Sequence, residues 1–395
     1  MKTFVENISA HLVGLGLIFF QIDVMIIGGL TSSRLGFVFI IVAFMFVYSY
    51  SENTSKPKFG RPIIISSAII LFATLFSALY NMIGMERVVT YLFIFLVLLV
   101  LHKLLNNTTH SIKILKWTAI YSYITILILI AFSIREFGVN AFTSKALRHA
   151  IDSLPQGLSR IGISLVIANI FMIMYYSLTK ARWIRILIWT SFIMSYWFML
   201  STFTRQGFLL LSIVFVGFIY PLYTKMKYKG LGFMIIISFL TILFVKIAQS
   251  EVFKERFILR TQEEVGTGEG SSNFRIYLYQ KGMELFEENI FLGVGPTNYV
   301  NIVQKDAHGI MAVISETGIL AIVSILILLI ASWKIIWHYR KTFPQNLTTY
   351  FLVTVIAANF SKTLYHLPMF WSSLMVIYYY NNLFVHRVHK RNFIN

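Results

Sequence analysis

The sequence contains no cysteine, and proline and charged residues are scarce. Without thiols the chain can form neither a disulfide framework nor a thiolate metal site. There are 7 prolines in 395 residues, and they fall in connections or near the ends of apolar runs. Charged side chains make up 13% of the chain, whereas hydrophobic ones make up 57%. A soluble core of this size cannot bury that much apolar surface, so the composition predicts a polytopic helical membrane protein.

Negative charge is the rarer sign. The chain has 16 Asp and Glu against 34 Lys and Arg, a formal charge of +18. In a soluble protein this excess would suggest nucleic acid as a partner. In a membrane protein it is typical of loops that contact anionic lipid and follow the positive-inside rule, so we expect the bilayer and no nucleic acid as the partner.

Apolar runs long enough to cross about 30 Å of hydrocarbon recur along the chain. About twelve are predicted, and the N-terminal stretch MKTFVENISAHLVGLGLIFF is interpreted as part of the first span because it lacks a small-residue cleavage site. The runs lie near 8–30, 35–50, 62–82, 88–104, 114–134, 161–178, 184–204, 207–223, 231–248, 311–337, 347–363 and 366–385. The predicted fold class is therefore all-α.

Basic clusters follow the even-numbered runs, which predicts that both termini are cytoplasmic. The opposite side has short turns and two long segments, 135–160 and 249–310, of which the second carries most of the acidic residues. Long polar segments on one side of a bundle are where function is expected. The predicted organisation is nine spans over 1–248, a large outer loop over 249–310, and three spans with a cytoplasmic tail over 311–395.

Two outer arginines lie at the ends of predicted spans. Arg205, in FTRQGF, occupies a connection so short that the guanidinium must sit where two helices meet. A planar guanidinium can hold two phosphate oxygens at once, so Arg205 is a candidate anion ligand or, alternatively, an interface anchor. Arg160 opens the sixth run, where it can bind phosphate or extend to the headgroups.

The outer loop contains two amphipathic stretches. Arg256 and Arg260 share a helix face in the first, and an acidic, Gly-rich stretch follows it. The second stretch runs from Asn273 to about Asn289 with Arg275 near its start, and GVGPTN supplies a turn after it.

His308 and Glu316 lie eight residues apart where the chain returns to the membrane. If the helix already runs through Gly309, both side chains occupy roughly one face, an arrangement suited to taking a proton from a hydroxyl. The alternative is structural, with Glu316 paired to a neighbouring helix and His308 satisfied at the interface.

The order of these motifs resembles the O-antigen polymerase and O-antigen ligase superfamily. The resemblance covers about 200–335 and rests on TRQG, FRIYLYQKGMELF, FLGVGPTNY, AHG and SETGILA. The sequence departs from the family at Gly309, where asparagine is usual, and at Phe291 and Leu292, where a proline is common. In such proteins an outer arginine, the arginine that opens the loop helix and a loop histidine are associated with activity. By position these are Arg205, Arg275 and His308.

The resemblance implies a GT-C-like, inverting glycosyltransferase of the bacterial inner membrane that needs no cofactor and no metal. Its donor would be an oligosaccharide linked through diphosphate to undecaprenol, and its site would face the periplasm. The arginines Arg205, Arg275, Arg160, Arg256 and Arg260 would hold the lipid diphosphate, while His308 and Glu316 would serve as the catalytic pair.

Several functions remain open at this point. A polymerase would add the glycan to a new lipid-linked repeat, with a chain-length regulator as a possible partner, whereas a ligase would transfer it to lipid A-core. The AHG motif and the acidic loop favour the polymerase slightly. A flippase or other transporter would be expected to show internal repeats, and the sequence has no convincing one. A non-catalytic assembly protein would tolerate loss of Arg205, Arg275 or His308.

Overall fold

The structure is a computed structural model that describes ten ranges of the chain. These are residues 2–22, 25–27, 30–48, 60–137, 158–201, 205–224, 271–303, 309–338, 347–361 and 364–392.

Helices dominate the described residues, with one short two-stranded antiparallel ladder near the N-terminus. In chain order the elements are α1 Lys2–Ile22, β1 Met25–Ile27, β2 Leu30–Thr31, α2 Ser32–Tyr48, α3 Arg61–Asn81, α4 Met85–Leu105, α5 Thr108–Phe137, α6 Leu158–Thr179, α7 Arg182–Ser201, α8 Arg205–Thr224, α9 Ser271–Glu288, α10 Asn298–Val303, α11 Ile310–Thr317, α12 Ile319–His338, α13 Leu347–Ser361 and α14 Pro368–Asn392.

Six helices within the described residues are long and apolar enough to cross a membrane. They are Thr3–Gln21, Arg61–Asn81, Met85–Leu105, Thr109–Ala131, Ile161–Thr179 and Ile319–Trp337. Helices α2, α8 and α13 are apolar but shorter, and the predicted run 231–248 lies outside the described residues. A multi-pass membrane protein is thus indicated, while the count of about twelve spans remains a prediction.

Two predicted runs differ from the helices that form. The first run was expected over 8–30, but α1 ends at Ile22 and the β1–β2 ladder follows. The run expected over 311–337 is divided into α11 and α12 at Gly318. Hydropathy reports apolar composition, and it does not locate a break inside an apolar stretch.

Helix α6 forms the centre of the bundle together with α14. In α6, 94% of the spanning residues are buried, against 28–50% in the other five candidate spans. Buried polar side chains link it to its neighbours: Asn169 donates to Ser195 Oγ and accepts from Ser191, and the Ser177 hydroxyl meets Tyr380 of α14. Such hydrogen bonds fix helix pairs where lipid supplies no competing partner.

The connections that position the site lie at one end of the bundle, which we call the site end. It contains the end of α3 with the connection to α4, and the segment from the end of α9 to the start of α12. Ser77 and Asn81 of α3 donate hydrogen bonds to that segment. The α13–α14 connection extends into the bundle, because the Tyr365 hydroxyl contacts the hydroxyls of Ser66 and Ser324. At the opposite end the His102 ring meets the Tyr379 hydroxyl, and Lys113 pairs with Glu6.

Candidate functional site

Glu316 lies in the last turn of α11, immediately before a break in the chain direction. Gly318 has φ 72°, and a Cβ there would lie 2.4 Å from the carbonyl oxygen of Phe291. A side chain at this position would therefore meet both backbone strain and a steric clash. The break places Glu316 ahead of the candidate span that begins at Ile319.

The turn that follows α9 is bound to the backbone around this break. The Val294 N–H donates to the Ser315 carbonyl at 2.9 Å, the Gly295 N–H to the Glu316 carbonyl at 3.2 Å, and the Ile319 N–H to the Ile290 carbonyl at 2.7 Å. These bonds use backbone groups left open where α11 ends. The predicted GVGPTN turn is thus present, and it holds the backbone of Glu316 directly.

Gly293 allows this close approach. Its φ is 70°, and a Cβ there would lie 2.4 Å from the Glu316 carbonyl carbon. The tip of α3 supports the same point, since Asn81 Nδ2 donates to the Gly293 carbonyl at 3.2 Å and Ser77 Oγ donates to the Glu316 carbonyl at 2.7 Å. The turn after α9 and the tip of α3 therefore both fix the backbone of Glu316.

The environment of the Glu316 side chain favours its neutral form. Burial raises the pKa of the Glu316 carboxyl group to about 7, although the nearby Arg87 guanidinium and hydrogen bonding from the backbone N–H groups of Thr297 and Tyr299 oppose the shift. Removal of water penalises the charged form of a carboxyl group more than these partners restore. The residue keeps part of its surface accessible, so it can exchange protons. A carboxyl group with a pKa near 7 is suited to accept a proton at neutral pH.

Helix α9, which contains Arg275, is connected to this site through Tyr299. The pattern predicts a helix from Asn273 to about Asn289, and the structure has one over Ser271–Glu288. Tyr299, whose N–H interacts with Glu316, donates its hydroxyl to the Leu278 carbonyl of α9 at 2.7 Å. Arg275 lies three residues before Leu278 in the same helix. Glu316 and the first half of α9 are therefore joined through one tyrosine.

The prediction that His308 and Glu316 share one helix face assumed a helix that already runs through Gly309, and this assumption is wrong. Helix α11 begins at Ile310, and Gly309 before it has φ 65° and ψ −151°, which is not helical. Eight residues of continuous helix therefore do not separate the two side chains. His308 lies outside the described residues, and its role as a base stays a prediction.

Arg160 and Arg205 begin neighbouring helices at one end of the bundle. A Cβ on Gly207 of α8 would lie 3.2 Å from the Gly162 Cα of α6, and each arginine precedes its glycine by two residues. The first turns of α6 and α8, which carry these two arginines, therefore lie side by side. Gln206 also donates to the Ala358 carbonyl near the end of α13. Arg256 and Arg260 lie outside the described residues.

A groove of about 900 Å³ opens beside the site between α2, α4 and the α13–α14 connection. Its polar lining includes Arg34, Arg87 and His366, none of which the sequence argument selected. Arg87 links the groove to Glu316, because it lines the groove and acts electrostatically on the carboxyl group. A signal for Arg87 exists in the sequence, since NMIGMER, like FTRQGF, places an arginine after a very short connection opposite the basic clusters.

Comparison with known proteins yields one family. Residues 189–311 match the family model described as O-antigen ligase. The match contains five of the seven candidate residues, while Arg160 and Glu316 fall outside it; the five are Arg205, Arg256, Arg260, Arg275 and His308. No curated protein matches the chain. The family match supports the assignment of this membrane protein to the O-antigen polymerase and ligase superfamily.

Proposed function

We propose that the chain is an inverting glycosyltransferase that polymerises O-antigen, or a related surface polysaccharide, at the periplasmic face of the bacterial inner membrane. The observation that carries this proposal is the family match over 189–311. The matched residues end at 311, inside α11, and this helix carries the largely buried Glu316 carboxyl group, which is suited to accept a proton. The donor is an oligosaccharide linked to undecaprenol through diphosphate.

Arginines would bind the donor. In this proposal Arg205 and Arg160, which lie in the neighbouring first turns of α8 and α6, hold the diphosphate together with Arg275 of α9. Arg256 and Arg260 of the outer loop are assigned to the same group. Negative charge develops on the diphosphate as the glycosidic bond breaks, and fixed guanidinium groups stabilise that charge without rearranging. The reaction in this proposal needs neither a metal ion nor a cofactor.

A proton acceptor completes the transfer. The acceptor sugar hydroxyl gives its proton to the Glu316 carboxylate or to His308, and its oxygen bonds to the anomeric carbon of the donor. The bond from that carbon to the phosphate oxygen breaks, and undecaprenyl diphosphate leaves with the electron pair. Attack from the face opposite the leaving group inverts the anomeric centre.

The second candidate is an O-antigen ligase that transfers the glycan to lipid A-core. The description of the matching family as O-antigen ligase favours this alternative. Both reactions consume the same donor, so the donor arginines do not distinguish them. The AHG motif and the acidic loop, which depart from the ligase-like pattern, are the reasons for preferring polymerisation.

A gel of surface glycans separates the candidates. Cells that lack the gene are complemented with the wild-type chain, with His308→Ala or with Glu316→Gln. If the chain is a polymerase, deletion leaves lipid A-core with a single repeat unit. Long polymer stranded on the lipid carrier, with bare core on the surface, would identify a ligase. Repeat units trapped on the cytoplasmic side would instead identify a transporter and refute both proposals.

A further inference from the structure

The groove between α2 and α4 has the shape and polarity of a lipid site. Along α4 its lining runs from Glu86 and Arg87 to Val97, a length of about 16 Å at the rise of an α-helix. Polar groups line the end near the site end of the bundle, and the apolar side chains of Phe37, Phe93 and Val97 line the remainder.

Positive charge dominates the polar end of the groove. Arg34 is exposed and Arg87 is half-buried, with the hydroxyls of Thr31, Ser33 and Thr90 in the same lining. Within the described part of the chain, no hydrogen bond or ion pair engages the Arg87 guanidinium. Glu86 is the acidic side chain in the lining, and it is exposed. A guanidinium group that lines a groove beside hydroxyl groups can bind a phosphate group through charge-assisted hydrogen bonds.

We propose that this groove binds the acceptor substrate, a lipid whose headgroup carries phosphate, with the phosphate between Arg34 and Arg87 and the hydrocarbon chain along α4. The inference rests on the proposed function, because it assigns the groove to one of the two substrates of that reaction. It extends that function by giving donor and acceptor separate sites.

The position of Glu316 favours the acceptor over the donor. The proton leaves the acceptor hydroxyl, so the acceptor must lie near the base. Arg87 lines the groove and also acts on the Glu316 carboxyl group, so a sugar attached to a lipid in the groove extends towards that carboxyl group. The donor arginines belong to other helices, with Arg205 beside the end of α13 and Arg275 in α9.

The apolar length of the groove favours a lipid over a free anion. A soluble diphosphate would use the arginines alone and make no contact with the accessible side chains Phe37, Val38 and Phe93. A hydrocarbon chain in the groove packs against these side chains, a contact that inorganic diphosphate cannot make.

Photocrosslinking tests the assignment on the full chain in lipid nanodiscs. The probe is undecaprenyl diphosphate with a diazirine on its hydrocarbon chain, and mass spectrometry maps the labelled peptides. We expect label on α2 and α4 in addition to label near α8. Arg87→Gln and Arg34→Gln should each lower α2 and α4 labelling by at least tenfold, in line with loss of a charge-assisted hydrogen bond, and leave the α8 label unchanged.

A matched control and two competitors complete the experiment. Arg185→Gln makes the same substitution in an exposed side chain near the start of α7, at the opposite end of the bundle, and should not alter labelling. Excess inorganic diphosphate should compete weakly, and undecaprenol should compete poorly because it lacks phosphate. Equal competition by inorganic diphosphate would identify a site for free anions, and equal competition by undecaprenol would identify an apolar lipid groove. Either result overturns the proposal.

The proposal is also overturned if α2 and α4 are not labelled, or if their labelling persists in both arginine variants. The binding readout does not depend on turnover. Groove labelling in a protein that fails the glycan assay would therefore count against the proposed function alone, whereas normal polymerisation without groove labelling would count against the groove alone.

Discussion

Replacement of Glu316 by glutamine separates a catalytic role from a structural one. The substitution keeps the side-chain length and one carbonyl oxygen, but it removes the charge and the ability to accept a proton. A positioned general base contributes about 10²- to 10⁴-fold to a rate. If Glu316 is the base, we expect Glu316→Gln to lower single-turnover transfer within that range while lipid-linked donor still binds.

The pH dependence provides a second readout. Since burial raises the pKa of Glu316 to about 7, the wild-type rate should rise with pH up to about 7 and then level. The folded protein binds this proton more tightly than the unfolded chain does, so the stabilising contribution is present below pH 4.5 and is lost as pH rises to about 7. That loss amounts to roughly 3 kcal/mol.

In the Gln variant this part of the pH dependence of stability should disappear, and the rate should no longer rise through pH 7. The assays are quenched-flow transfer from a lipid-linked donor and thermal unfolding in detergent, each over a pH series. A Glu316→Gln protein with a wild-type rate at every pH would refute the base role. A slowed variant that retains the wild-type rate profile would show that Glu316 acts only by holding the turn.

Variants at Gly293, Arg275 and His308 also test the site. Gly293→Ala should destabilise the protein by about 1–3 kcal/mol in thermal unfolding, because the added Cβ would lie 2.4 Å from the Glu316 backbone at a residue with positive φ. Gly282→Ala is the control. The nearest neighbours of a Cβ at Gly282 lie at 3.4 Å, so this variant should be nearly neutral. Arg275→Ala should abolish transfer and Arg275→Lys should restore it partly, since an ammonium group does not make the bidentate contact; equal rates for Lys and Arg would contradict diphosphate binding by a fork. His308→Ala should slow the chemical step, so normal single-turnover kinetics would remove His308 from the base role.

Hydropathy predicted the helical class and the positions of four of the six candidate spans to within a few residues, because long apolar runs have few alternatives in a membrane. It did not predict the break at Gly318. The apolar run continues across that residue, and the break depends on a contact with Phe291 that lies far away in sequence. Local composition does not report such a contact.

The candidate site was predicted in part. Glu316 was selected from its place at a membrane entry, and the structure adds the turn, the α3 tip and Arg87 around it. Arg87 was missed because a single arginine after a short connection acquires meaning only when the groove and Glu316 are seen together. Arg87 and Arg205 both follow a very short connection, so the feature that made Arg205 a candidate also applies to Arg87.

The most direct test of the central claim is transfer by the purified protein in nanodiscs that contain undecaprenyl-diphosphate-linked repeat units as the sole substrate. If the chain is a polymerase, we expect longer lipid-linked glycans, with one undecaprenyl diphosphate released for each bond formed. Arg275→Ala should lose both products. Absence of chain growth and of carrier release from wild-type protein that still binds the donor would contradict it. Release that occurs only after lipid A-core is added would show that the chain is a ligase.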